Sequence, residues 1–83
     1  MNTYPIDYQR LSYLGEKVKA NLATKPEKDE FMLMLRNSRN ITERQYNDYL
    51  SNRNAEEVVN AALAVGAIVL IGYLLNELLS SKK

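Results

Sequence analysis

Two patterns of apolar residues divide this chain of 83 residues. Through residues 1–54, apolar side chains recur at spacings of three and four, which is typical of helices that bury one face. Residues 58–75 contain no charged side chain, and Asn60 is their only strongly polar residue. Because a helix over 58–75 is apolar on every face, the pattern predicts a polar head followed by one apolar helix.

The first two helices of the head are predicted from an apolar seam and a capping signal. Apolar side chains follow alternating steps of four and three from Tyr4 to Leu22, which favours a helix over this range. Thr24 and Glu27 then have the spacing of a capping box, which starts a second helix. The apolar run 31–35 belongs to that helix, because its methionines and leucines favour helix over strand.

A third helix and a long apolar helix complete the predicted elements. Thr42 and Gln45 form a second capping-box pair, and residues 51–54 end the short helix that this pair starts. Asn54 is the expected N-cap of the next helix, with Glu57 at the matching capping-box position. The helix that follows contains the apolar run.

The expected fold is therefore all-α, with three segments along the chain. A polar head of three short helices occupies residues 1–54. One long apolar helix occupies residues 55–81, with a transmembrane span at about 58–75. Residues 82–83 form a short basic tail.

The apolar helix is too large for the head to cover alone. Eighteen helical residues extend about 27 Å, close to the hydrocarbon thickness of a bilayer, about 30 Å. The ten Val, Leu and Ile side chains of the span favour insertion by about 3–6 kcal/mol in total. The short helices of the head are rich in charged and amide side chains. We therefore expect lipid or other subunits to cover the apolar helix.

Charge is concentrated in the head and sets the expected orientation. Residues 1–54 contain nine Lys or Arg and seven Asp or Glu, whereas residues 58–75 contain none of these. Because basic residues accumulate on the cytoplasmic side of membrane segments, we expect a single-pass protein with its head in the cytoplasm or interior. Tyr73 lies where an interfacial aromatic residue is expected.

The chain lacks the residues on which many active sites depend. It contains no cysteine and no histidine, which excludes thiol chemistry, cysteine metal sites and histidine acid–base chemistry. No P-loop, glycine-rich nucleotide turn or serine elbow occurs. We therefore expect no enzymatic activity, no cofactor, no metal and no small-molecule substrate. The third helix lacks a convincing basic recognition face, so the sequence does not predict a nucleic-acid partner.

Residues 33–52 resemble a known helical family. The segment 35–46 is similar to the core of the SHOCT domain, a short helical hairpin of bacterial and phage proteins. The matching residues are Leu35, Ile41, Thr42, Glu43 and Tyr46. Arg39 replaces the turn glycine of the family, and Gln45 replaces an acidic residue. The resemblance implies an interaction or oligomerisation module, often beside a membrane segment, with no catalytic residues.

Two sets of residues are candidates for contacts with other helices. Small residues in the apolar helix let another helix approach closely, and Asn60 can hydrogen-bond across such a contact or lie at a wet edge of the membrane. The candidate span and packing residues are Asn60, Ala62, Gly66, Ala67 and Tyr73. The candidate interaction face of the head comprises Leu11, Gly15, Phe31, Leu35, Ile41, Tyr46 and Tyr49.

These observations favour a non-enzymatic, single-span membrane protein that acts as a structural anchor or assembly subunit of a membrane-associated complex, in a bacterium or a phage. Its expected partners are membrane lipid and protein, either further copies of itself or other subunits. The alternative is a soluble homo-oligomer whose C-terminal helices form a shared core. A third possibility is a membrane-active protein of the holin or toxin type, although the apolar helix has no polar stripe to line a pore.

Overall fold

Four α-helices form the part of the chain that the computed structural model describes, residues 7–80. They are α1 (Tyr8–Lys19), α2 (Lys25–Asn37), α3 (Glu43–Leu50) and α4 (Ala55–Ser80). Residues 7–80 contain no strand, so the predicted all-α fold, a small head followed by a long apolar helix, is confirmed. Tyr4, in the predicted first helix, Ser81, the predicted end of the apolar helix, and residues 82–83, the predicted basic tail, lie outside the described residues.

Side-chain caps start the three helices of the head. In both predicted capping boxes, the threonine hydroxyl accepts a hydrogen bond from the N–H of the third helical residue, whose side chain accepts from the threonine N–H. The pairs Thr24–Glu27 and Thr42–Gln45 are thereby confirmed. Asp7 caps α1, since its carboxylate accepts from the Arg10 N–H at 3.0 Å. The apolar seam gave no signal for this third cap.

Residues with left-handed backbone conformation lie in the connections between helices. Asn21, Arg39 and Asn52 follow α1, α2 and α3 with φ angles of 62°, 63° and 60°. Asparagine adopts this conformation more readily than most residues, and glycine adopts it without steric cost. Of these three residues, Arg39 is the one whose type rarely adopts it. Asn54, the predicted side-chain cap of α4, has φ 52°, and its backbone carbonyl accepts from the Val58 N–H.

One hydrophobic core joins the head to the first turns of α4. The buried side chains are Leu11, Leu14, Val18, Phe31, Met32, Leu35, Ile41, Tyr49, Val58, Val59 and Ala62. All four helices contribute to this cluster, because each presents one apolar face to it. The core therefore extends across residue 54, and the head and the start of α4 pack as one unit.

α1 lies antiparallel to α4. Tyr8, the first residue of α1, stacks on Tyr73 with ring centroids 4.0 Å apart. Near the other end of α1, Val18 lines the same cleft as Val59 and Leu63. One side of the apolar helix is therefore shielded by α1 from its first turns as far as Tyr73.

Candidate functional site in the C-terminal helix

α4 presents one face to the head of its own chain. Buried or half-buried positions recur along it at steps of three and four, as expected for the packed side of a helix. They include Ala55, Val58, Val59, Ala62, Gly66, Val69, Leu70 and Tyr73. Because every face of this helix is apolar, the sequence pattern alone could not indicate which side packs on the head.

The opposite face of α4 exposes large apolar side chains over its second half. Ile68 is 68% exposed and Leu79 is 70% exposed. The others are Ile71, Leu74, Leu75 and Leu78. By length and composition α4 can cross a membrane, and only 22% of its most apolar stretch is buried within the molecule. A surface of this size and apolarity is typical of a site covered by lipid or by another protein.

Phe31 of α2 packs between α1 and α4 where each of these helices has a glycine. The Phe31 side chain is 1% exposed. A Cβ built on Gly15 or on Gly66 lies 3.5 Å from the Phe31 ring. A methyl group would therefore fit at either glycine, whereas a larger side chain directed at the ring would collide with it. The sequence marked all three residues as packing candidates but gave no signal that they meet.

Gly66 provides a graded test of this contact. Gly66→Ala is expected to raise the free energy of unfolding by about 0.5–1 kcal/mol, because a methyl group fits at ordinary contact distance and alanine favours helix. Gly66→Leu is expected to lower it by about 1–3 kcal/mol, because the branched side chain collides with the Phe31 ring. Urea denaturation followed by circular dichroism measures both changes.

Gly72 is the matched control for this series. Nothing lies within 4 Å of a Cβ built at Gly72, so Gly72→Leu is expected to keep or raise the unfolding midpoint. A similar loss of stability for leucine at both glycines would contradict the placement of Phe31 against Gly66.

The packing residues predicted in α4 have different environments. Ala62 is fully buried and Gly66 is buried beside Phe31, so this pair of small residues faces the head of its own chain. Asn60 and Ala67 are exposed. In this conformation the close approach that the small residues allow is therefore used within the chain.

Tyr73, predicted as an interfacial aromatic residue, is half-buried against α1. Its ring and that of Tyr8 are nearly parallel, with an interplanar angle of 10°. A stacked aromatic pair contributes about 0.5–1.5 kcal/mol beyond the area that it buries. The two tyrosines lie far apart in the chain, so no sequence spacing indicated that they pair.

The predicted interaction face of the head lies largely inside the molecule. Leu11, Phe31, Leu35, Ile41 and Tyr49 are buried in the core, Tyr46 packs against the core, and Gly15 meets Phe31. These side chains therefore hold the helices of the head to one another and to α4.

Two ion pairs join α1 to α2 beside the core. The Arg10 guanidinium donates to both carboxylate oxygens of Glu30, at 2.8 and 2.7 Å. The Lys17 ammonium donates to Glu27 at 2.9 Å. The hydrogen bond from Arg10 is the main reason that the pKa of Glu30 lies below its ordinary value. The pKa of Glu27 is lowered first by the backbone N–H of Thr24 and then by Lys17.

Acid is expected to destabilise the head through these carboxylates. A carboxylate whose pKa is lower in the folded state stabilises the fold above its unfolded pKa, and this contribution is lost as pH falls through the folded pKa. The thermal unfolding midpoint should therefore decrease below about pH 4.5. Circular dichroism melts from about pH 7 to about pH 3 measure this decrease. Glu30→Gln should flatten the profile, and a midpoint independent of pH would contradict the assignment.

A partly buried hydrogen bond joins α3 to α2. The Tyr49 hydroxyl donates to the Asp29 carboxylate, which also accepts from Lys25 at 2.6 Å. Burial, followed by the hydrogen bond to Asp29, raises the pKa of Tyr49 well above its ordinary value. The phenol therefore stays protonated and acts as a packing residue with a satisfied polar end.

Within residues 7–80, no group of three or more His, Cys, Asp or Glu side chains is placed to hold a metal ion. The chain matches no protein-family model, no curated protein and no solved structure. The resemblance of residues 33–52 to the SHOCT domain therefore stays a prediction.

Proposed function

We propose that this protein is a non-enzymatic, single-span membrane anchor whose helical head assembles with other proteins on one side of the bilayer. The observation that carries the proposal is the large apolar surface of α4 that the head leaves uncovered. α4 has 26 residues, which extend about 39 Å and exceed the hydrocarbon thickness of about 30 Å. The helix is therefore long enough to cross with its ends in the polar head-group regions.

The limits of the proposed span agree with the positions of charge along α4. Residues 58–75 are free of charge, while Glu57 precedes them and Glu77 follows them. A helix also pairs its backbone N–H and C=O groups internally, whereas lipid offers no hydrogen-bond partners to the backbone of an irregular segment. We therefore place the hydrocarbon core of the bilayer around residues 58–75.

The hairpin of α2 and α3 supports a role for the head in assembly. The resemblance of residues 33–52 to the SHOCT domain implies an interaction or oligomerisation module beside a membrane segment. Arg39, which stands where that family has a glycine, has φ 63°, a conformation that glycine adopts without steric cost. We therefore assign the protein contacts to the head and the lipid contacts to α4, in a bacterial or phage setting.

The charge of the head supports one orientation. Nine basic residues lie in residues 1–54, while two lysines, Lys82 and Lys83, follow the span. By the positive-inside rule the head lies in the cytoplasm or interior, and the residues that follow the span lie on the opposite side of the bilayer.

Fractionation of cells that express the full chain tests the anchor. The protein is expected to float with membranes on a density gradient, which separates it from aggregates. It should stay in the membranes through an alkaline wash, which releases peripheral proteins, and enter solution in detergent. Recovery in the alkaline supernatant, or in the soluble fraction without detergent, would contradict the proposed span.

A soluble homo-oligomer is the second candidate, because the head already covers one face of α4. Only the opposite face then needs a cover. On that face Ile68, Ile71 and Leu75 recur at steps of three and four, as in helices that pack in pairs. Purification without detergent as one defined oligomer would favour this candidate over the membrane anchor.

A further inference from the structure

We propose that α1 and α2 form a removable cover on α4, and that α4 enters a bilayer only after this cover has left it as a unit. We call residues 8–37 the α1–α2 hairpin. The inference rests on the proposed membrane span and adds the step that must precede insertion. It follows from where the hairpin lies along α4, from the kind of contact between them, and from what holds the hairpin together.

The α1–α2 hairpin lies beside the middle of the proposed span. Gly15 of α1 and Gly66 of α4 lie beside the same Phe31 ring, and Gly66 is close to the centre of residues 58–75. The stack of Tyr8 on Tyr73 places the start of α1 near the far end of the span. The hairpin therefore occupies the depth at which lipid chains surround a transmembrane helix.

Charged side chains of the hairpin lie at this same depth. The ion pairs Arg10–Glu30 and Lys17–Glu27 are on the two sides of Gly15 along α1. Arg10 and Glu30 are each 41% exposed, so water contacts them in this structure. Transfer of such hydrated charges into hydrocarbon is strongly unfavourable. The compact form and the spanning form therefore exclude each other.

Among the residues that the structure describes, no side-chain hydrogen bond, ion pair or cation–π contact joins α4 to the α1–α2 hairpin. Within residues 7–80, all the ion pairs and cation–π contacts lie between residues 10 and 49. The side-chain hydrogen bonds of the same part of the chain lie between residues 7 and 51. Separation of α4 from the hairpin thus leaves no buried polar group unpaired.

Polar contacts do hold the hairpin together. The bidentate contact of Arg10 with Glu30 and the contact of Lys17 with Glu27 both join α1 to α2. The Tyr49–Asp29 hydrogen bond also joins α3 to α2, and residues 51–54 connect α3 to α4 outside the helices. The hairpin therefore moves as one piece, with α3 attached, about residues 51–54, and its freed apolar face, which includes Leu11, suits the membrane interface.

Chemical cross-linking tests the inference, because the chain contains no cysteine of its own. Tyr8→Cys with Tyr73→Cys, joined by a short bis-maleimide, locks α1 onto α4 at the site of the tyrosine stack. Ser12→Cys with Leu70→Cys is a second lock, which joins two residues of one groove and keeps that stack. The control, Arg10→Cys with Glu30→Cys, joins α1 to α2 and leaves α4 unattached.

Each full-length variant, linked and unlinked, is added to vesicles of phosphatidylethanolamine and phosphatidylglycerol, and the fraction that resists an alkaline wash is measured. Both locks are expected to reduce this fraction at least about tenfold, because a locked hairpin carries its charges into the bilayer. The linked control should insert to within about twofold of its unlinked form. Its cross-link joins α1 to α2 in place of one ion pair and leaves α4 free to separate from both.

The outcomes separate this inference from the proposed function. If the locked chains insert as readily as the unlinked ones, the proposal of a removable cover is wrong, and the proposed membrane anchor is unaffected. Failure of the unlinked chain to insert would overturn the anchor and the cover with it. Loss of insertion in the linked control would show that α1 and α2 must separate, which overturns their departure as a unit. Circular dichroism of each variant establishes that its helices are intact.

Discussion

Phe31→Ala is expected to lower the free energy of unfolding by about 3–5 kcal/mol. The ring is 1% exposed and lies beside Gly15 of α1 and Gly66 of α4, so its removal leaves a cavity between three helices. A domain of this length has a total stability of about 4–12 kcal/mol. The substitution therefore removes a large part of what holds the head together, and urea denaturation followed by circular dichroism measures the loss.

Leu33→Ala is the matched control, because Leu33 lies on the same helix and is 39% exposed. Its expected cost is about 0.5 kcal/mol, typical of a substitution near the surface. Equal costs at the two positions would contradict the central place of Phe31 in the core. Membrane retention of Phe31→Ala should not decrease, since the composition of α4 is unchanged.

Ile68→Lys is expected to abolish membrane association that resists an alkaline wash. An isoleucine near the centre of a span favours insertion by about 0.3–0.6 kcal/mol, whereas a lysine there opposes it by about 2.5–3.5 kcal/mol. The change of about 3–4 kcal/mol is comparable to the whole gain of about 3–6 kcal/mol from the apolar side chains of the span. Because Ile68 is 68% exposed, its loss removes little contact with the head.

Asn47→Lys is the control for Ile68→Lys. Asn47 is exposed on α3, so this variant adds the same charge to the head, which lies in water. It is expected to stay in the membrane fraction as the unsubstituted chain does. Full retention of Ile68→Lys after the alkaline wash would contradict a lipid-embedded α4.

The starts of α2 and α3 were predictable because capping is local chemistry, whereas the cap of α1 at Asp7 was not predicted. Thr24 and Thr42 each precede, by three residues, a side chain that completes a capping box, and both boxes form. The length and apolar character of α4 were equally evident, since they depend on composition over a contiguous stretch. Asn54 differs in its backbone: it is left-handed, with φ 52°, whereas the caps Thr24 and Thr42 are extended.

The contacts between distant parts of the chain were not predictable in the same way. A helix that is apolar all round has no periodic signal for the side that packs, so the burial of Ala62 and Gly66 in the head was not evident. The meeting of Gly15, Gly66 and Phe31 depends on how three helices are arranged in space. Sequence identified these residues as packing residues but could not distinguish a contact within the chain from one between chains.

The depth of residue 68 in a bilayer tests the central claim, that α4 spans lipid, most directly. The measurement attaches a nitroxide label to Ile68→Cys in vesicles. It compares the rate at which the label collides with oxygen, which dissolves in lipid, with the rate at which it collides with a water-soluble nickel complex. The account predicts a label reached by oxygen and shielded from nickel, while the same label at Asn47→Cys on α3 is open to nickel. Nickel access at residue 68 equal to that at residue 47, or shielding that persists in buffer without lipid, would contradict it.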